Sequence, residues 1–193
     1  LFQSSDLIHA DEVPISGTTE NDLDNEYFKS YYQKFYEEKI DQSGLPLIQL
    51  LNNLNLAGND KLNLAGLLLF GKEPEKYKPA FIIKAVSFVG NDPTGDKYRD
   101  SVDIKGKIRE QYDGAISFLK RNLTYMQQEK GINSLGELEI PNIVLEELIV
   151  NALIHRNYFI NAPIRLFVFD DRVEIISPGR LPNNLTIDNI KSG

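Results

Sequence analysis

No cysteine occurs in the chain. Disulfides and thiolate metal centres are therefore excluded, and the composition fits a reducing cytoplasm, the compartment expected for this protein. Only two histidines, His9 and His155, are present. A zinc site would have to be built largely from carboxylates, and no HExxH spacing exists to start one. No apolar run approaches the ~20 residues of a membrane-spanning helix, and no signal peptide opens the sequence, so no membrane partner is expected. A basic cluster is missing as well. Residues 1–60 hold 11 acids and 3 bases, and the remainder holds 17 acids and 18 bases, within a net charge of −7. Duplex DNA is bound largely by phosphate neutralisation, so this stretch is not expected to be the part of any protein that grips DNA. No nucleophile-elbow pattern supports a Ser/His/Asp triad.

What is present suffices for a core: 41% of the 193 residues are hydrophobic and 10% aromatic, enough for one ordinary domain or two small ones. The chain begins with Leu1 and ends at Ser192-Gly193, which reads as a piece of a longer protein. Residues 1–21 are polar and turn-rich and read as an extended lead-in. A helix is expected from about Asp22 to Ile40, with Leu23, Tyr27, Tyr31, Phe35 and Ile40 on its inner face. The aromatics between Tyr27 and Tyr36 are read as core packing rather than base stacking, given the acidic setting. Pro46 starts a short helix through Leu54. The first 60 residues thus form an acidic, helical segment, and residues 61–193 an α+β domain.

Gly66-Leu67-Leu68-Leu69-Phe70-Gly71-Lys72-Glu73 nearly matches the phosphate-binding P-loop. The position that should offer a hydroxyl to Mg²⁺ is Glu73, and four bulky apolar residues fill the loop, so it reads as a buried short helix or strand stopped by Gly71. Ala80–Val89 alternates as a strand, and the loop from Gly90 to Asp96 reads as solvent-exposed rather than as a calcium loop. From Asp103 to about Met126, the positions Ile104, Ile108, Tyr112, Ile116, Leu119, Leu123 and Met126 predict one long helix of about 36 Å.

The most informative stretch is Glu147-Leu-Ile-Val-Asn151-Ala-Leu-Ile-His155-Arg156-Asn157-Tyr158. Glu147, Asn151 and His155 recur every four residues, within roughly 80° of one another on a helix. Leu148, Ile149, Ala152, Leu153 and Ile154 are left to bury the opposite face. Such a polar column is most often a solvated helix side. A carboxylate able to act as a base beside an amide oxygen able to ligate a divalent cation is also what metal-assisted phosphate chemistry needs. A hairpin is expected next. Ile164, Leu166 and Val168 alternate with Arg165, Phe167 and Phe169, Asp170-Asp171 makes the turn, and Val173 and Ile175 return. Ser177-Pro178-Gly179-Arg180-Leu181-Pro182 then forms an ordered loop, expected as one wall of a cleft into which the polar column points.

Glu147-x-x-x-Asn151-Ala152-Leu153-x-His155-Arg156-x-Tyr158, the hairpin, Ile176-Ser177-Pro178-Gly179-x-Leu181-Pro182 and Leu185-Thr186 together resemble a family of proteins described as bacterial transcriptional regulators, related to the C-terminal part of an ATP-dependent DNA helicase. The likeness is specific over residues 137–193 and looser over 62–71, 88–90 and 1–24. It implies a GHKL-like ATP-binding fold, a mixed sheet with helices packed on one face, preceded by a small helical segment. In complete members a Schlafen/AlbA-type domain lies N-terminal and makes the DNA contact.

By that resemblance Glu147 matches the catalytic base and Asn151 the Mg²⁺ ligand, with His155, Ser177 and Gly179 at the nucleotide. ATP and Mg²⁺ are the implied cofactors of the complete protein, and none is expected of this stretch alone. The family's glycine box opens with an Asp that bonds the adenine amino group. Here Ser177-Pro178-Gly179 supplies no acid, and no second glycine-rich segment follows. The expectation is therefore a fragment of a transcriptional regulator with a partial or degenerate nucleotide site. The alternative is a non-catalytic dimerisation or signal-relay module, acting as a homo-oligomer.

Overall fold

The computed structural model describes residues 9–40, 44–93, 97–126 and 136–180. Over the second half of the chain, two central strands of period-2 burial, β3 (Ile83–Phe88) and β7 (Ile164–Val168), are flanked by the edge strands β4 (Tyr98–Ile104) and β8 (Val173–Ile176) in a four-stranded mixed sheet of order β4-β3-β7-β8. β3 runs parallel to β7, with Ile83 opposite Ile164 and Ala85 opposite Leu166, and the outer pairs are antiparallel. The residues turned to one face, Ile83, Ala85, Ile104, Ile164, Leu166 and Val168, are all buried against α5 (Ile108–Asn122) and α6 (Asn142–Ile154). The fold is thus α+β, with helices on one face of a mixed sheet.

The hairpin forms as its alternation demands. Phe169 N–H donates to Arg172 O at 2.9 Å, closing the turn over Asp170-Asp171. Asp170 does more than turn the chain. Its carboxylate accepts from Gly90 N and from the Arg99 guanidinium, fastening the hairpin tip to the β3–β4 loop.

The single long helix expected over 103–126 is instead a strand followed by a shorter helix. Ile104 falls on the helical period but closes β4, and Gly106, at φ +91°, makes the corner that separates strand from helix. The strand leaves no hydrophobic pattern because it is an edge: of Tyr98–Ile104 only Ile104 is buried. Charge holds it in place. Asp100 accepts from Asn122 Nδ2 at 3.0 Å and from Arg121 at 2.6 Å, and these bonds draw its carboxyl below its ordinary pKa. The Gly131 end of the expected helix lies outside the described residues.

The first half has its own core, running from Ile15 to Phe81 and built on α1 (Asn25–Tyr36), α2 (Leu47–Asn53), the ribbon of β1 (Ala57–Gly58) and β2 (Lys61–Leu62), α3 (Leu64–Phe70) and the single turn α4 (Pro74–Tyr77). β5 (Tyr125–Met126) and β6 (Glu137–Leu138) pair as a short ribbon between α5 and α6. Residues 9–21 are no mere lead-in. Ile15 N bonds Leu62 O, Leu64 N bonds Val13 O, and Ile15 and Thr18 are buried, so this segment straps α3. In α1 the inner face is Phe28 and Tyr32, one residue on from the face expected; Tyr31, Phe35 and Tyr36 are exposed. Aromatics flank both sides of that helix, so spacing alone could not choose between two adjacent faces. The Gly66–Gly71 stretch is helix, with Gly71 as its C-cap, as read from its bulky residues.

Lys107, buried at the start of α5, joins the two cores. Its ammonium lies 3.1 Å from Asp24 and 3.0 Å from Glu110, over the Tyr27 ring. Burial pushes the Asp24 carboxyl up, but the Tyr27 N–H and the Lys107 ammonium outweigh it and hold the net pKa below 3.8. Burial pulls Lys107 down, and Glu110 and Asp24 raise it to a net value above 10.5. The stability Asp24 contributes is therefore present above its unfolded value near 3.8 and is lost as pH falls through its lower folded value. That of Lys107 is present below 10.5 and is lost as pH rises through its higher folded value. Lys107→Met should cost roughly 2 kcal/mol at neutral pH, less than a fully buried pair because water reaches both carboxylates. In urea titrations the gap to wild type should narrow in acid, below the Asp24 transition. A gap constant down to pH 2 would mean the pair does not hold the halves together.

Candidate functional site

α6 is apolar on nearly all sides, and its packing therefore decides what it presents. Leu145, Ile149, Ala152 and Leu153 form the buried arc. Leu148 and Ile154, expected inside, are 45% and 64% exposed, because each stands about 60° from the centre of the polar column, one on either side, outside the narrow arc of Leu145, Ile149, Ala152 and Leu153. Glu147, Asn151 and His155 share the outward side with Ile143, Val144, Leu148 and Ile154.

Asn151 Nδ2 donates to Glu147 Oε1 at 3.0 Å, which sets carboxylate and amide side by side and leaves the amide oxygen available. His155 caps the helix, its N–H on Asn151 O at 3.0 Å and its ring exposed. The loop after β8 is fastened to the same helix end: Ser177 Oγ donates to Ala152 O at 3.0 Å, and Asn157 N–H donates to Pro178 O at 2.6 Å. Gly179 follows at φ +153°, a backbone conformation side-chain-bearing residues rarely adopt.

The structure thus brings the column and the Ser177–Gly179 loop to one end of α6, but the column faces outward rather than into an enclosed cleft. Leu181 and Pro182, the far part of the expected wall, lie outside the described residues. Glu147 and Asn151 together make a donor set suited to a hydrated divalent cation. The adenine half fits less well, since Ser177 is already bonded to the helix and no acid stands beside it. No group of three or more metal-ligating side chains occurs among the described residues.

A second feature went unread in the sequence. A cavity of about 540 Å³ lies between the two cores, walled by α3, the turn at 9–11 and the segment from Leu153 to Phe159. Arg156 lines it. This side chain is 95% buried, from a relative exposure of 5%. Its guanidinium lies 4.5 Å from the centre of Phe81 and 4.9 Å from that of Tyr158, and it donates to Ala162 O at 2.6 Å. Tyr158 in turn donates to Leu153 O at 2.8 Å. The sequence signal was Arg156 and Tyr158 directly after the apolar helix, where a charge has no obvious outlet to water.

Two family models match parts of the chain. Residues 1–83, which include the whole Ile15–Phe81 core, match the family described as "Domain of unknown function (DUF8451)". Residues 161–193 match the family described as "Putative ATP-dependent DNA helicase recG C-terminal". No curated protein matches the sequence. Among solved structures, the crystal structure of the DIP2311 protein from Corynebacterium diphtheriae is similar at a TM-score of 0.64 and 21% identity. The likeness covers 100% of this chain and 38% of that one, and at this identity it is a likeness of fold. No helix among the described residues is long and apolar enough to cross a membrane.

Proposed function

We propose that the chain is part of a transcriptional regulator in which α6, the β7–β8 hairpin and the loop after it form a partial, degenerate GHKL-like ATP-binding module. The observation that carries this reading is the Glu147–Asn151 pair, a carboxylate bonded to an amide on the helix that leads into the stretch matched at 161–193. In that role Asn151 offers its amide oxygen to Mg²⁺, and Glu147 orients or deprotonates a water. The acidic first 60 residues support a DNA contact made elsewhere in the whole protein. The experiment is a titration with ATP, with and without Mg²⁺. Asn151→Ala should weaken Mg²⁺-dependent binding by about ten-fold or more, the worth of one charge-assisted contact. Glu147→Ala should spare binding and remove any hydrolysis. No Mg²⁺-dependent binding at millimolar ATP would remove the nucleotide role.

The exposed apolar residues of α6 favour a second reading, dimerisation or signal relay through that face. Sedimentation across a concentration series separates the two. Self-association lost in Leu148→Asp, with no nucleotide binding, would select the second.

A further inference from the structure

The buried guanidinium of Arg156 has a partner problem that the α6 column does not solve. Its Nε has no hydrogen-bond partner, and no carboxylate pairs with it among the described residues. A charged side chain this deeply buried is costly unless paired, and the two aromatic rings offset only part of that cost. Desolvation shifts its proton affinity down, in keeping with a cation held away from water. The same side chain lines a cavity of about 540 Å³, within the range of small-molecule sites, whose other walls include the apolar Leu64, Leu68, Ile108 and Leu153.

We propose that this cavity is a binding site for a small organic monocarboxylate with an apolar body, its carboxylate on Arg156 and its body against α3 and Leu153. A guanidinium presents paired N–H groups to the two oxygens of a carboxylate, and a carboxylate held by the terminal nitrogens would pair the buried charge, while Nε itself is sealed from the cavity. One cation balances one negative charge. His9 and the exposed Asp11 also stand on the wall, and Asp11 opposes any anion, so a phosphate dianion would be left further from compensation than a monocarboxylate. The site stands apart from the proposed nucleotide residues: Glu147, Asn151 and His155 do not line this cavity. Asn157 on the cavity wall does bond Pro178 of the loop beside them, so probe binding is measured separately from ATP binding.

The test uses the 193-residue chain and 4-phenylbutyrate as probe, with 4-phenylbutanol and inorganic phosphate as comparisons, read by calorimetric titration and by ligand-induced shift in unfolding temperature. The carboxylate should bind at least about ten-fold more tightly than the alcohol or phosphate, as expected for a charge-assisted pair. Arg156→Gln should lower affinity by a similar factor. Because that change also touches the packing on Phe81 and Tyr158, Ala65→Phe provides a second variant, filling the cavity from α3 with Arg156 intact. It should abolish binding of the probe. Equal binding of acid and alcohol, tighter binding of phosphate, retention of affinity in a folded Arg156→Gln, retention in Ala65→Phe, or no binding of the probe by wild type would each overturn the proposal.

Discussion

Gly66→Ala should destabilise the protein by about 3 kcal/mol or more, although the same change on an exposed helix would stabilise it by nearly 1. A Cβ built at Gly66 would sit 2.0 Å from Leu56 O and 3.0 Å from Leu56 C. Both are backbone atoms, and they cannot simply rotate away. Leu56 O accepts from Asn63 N at 3.1 Å and Leu56 N donates to Leu51 O at 2.8 Å, while the ribbon of β1 (Ala57–Gly58) and β2 (Lys61–Leu62) follows at once. Asn63 closes the junction as N-cap of α3. Its Oδ1 accepts from Gly66 N at 2.8 Å and its Nδ2 donates to Asn55 O. A methyl group must therefore push α3 off the ribbon that supports it. Gly58→Ala is the control, since its Cβ would meet only the Pro14 ring at 3.5 Å, an ordinary contact. It should move the urea midpoint by no more than about 0.5 kcal/mol in equivalent stability. Equal, small effects at both positions would mean that α3 does not lie this close to Leu56.

That junction also explains the glycine-rich near-match to a P-loop. Gly66 is present because two backbones touch there, and Gly71 because a side chain at that position would meet Leu67 O at 2.5 Å. Spacing alone suggested phosphate, and the bulky residues between correctly argued against it. The same contrast runs through the chain. β3 and β7 were legible because one of their faces is buried and the other is not, so period-2 alternation survives. β8, an edge strand of half-buried residues, was legible only as the return of the hairpin after Asp170-Asp171. β4 was not, since an edge strand with a single buried residue carries no alternation, and its Ile104 fell by accident on the period of α5. The helical column of Glu147, Asn151 and His155 was legible as a shared face, and its hydrogen bond and exposure are facts of structure. What lay beyond sequence was the Arg156 cavity. It is assembled from residues near 10, 65, 108 and 156, which no local pattern connects. The strap at 9–21 escaped for a related reason, because its support comes from long-range backbone bonds to Leu62 and Leu64.

The orientation of α6 rests on the last contrast, Leu153→Ala against Leu148→Ala. Leu153 is 3% exposed and belongs to the core between sheet and helices, so truncation should cost roughly 2–5 kcal/mol, transfer and cavity terms together. The cost should fall toward the lower end, since Leu153 also borders the cavity beside Arg156, where part of its surface already lacks neighbours. Leu148 is 45% exposed, and Ala is the better helix former, so its truncation should change stability by no more than about 0.5 kcal/mol. Sequence periodicity treats the two leucines alike, since the helix is apolar around most of its circumference. Only packing separates them. Chemical denaturation at two protein concentrations extends the measurement. If Leu148→Ala costs about as much as Leu153→Ala at both, α6 is rotated from the position described. If its cost appears only at the higher concentration, the face bearing Ile143, Val144, Leu148 and Ile154 is covered by a second copy in solution. The outward Glu147–Asn151 pair would then lie at a subunit boundary.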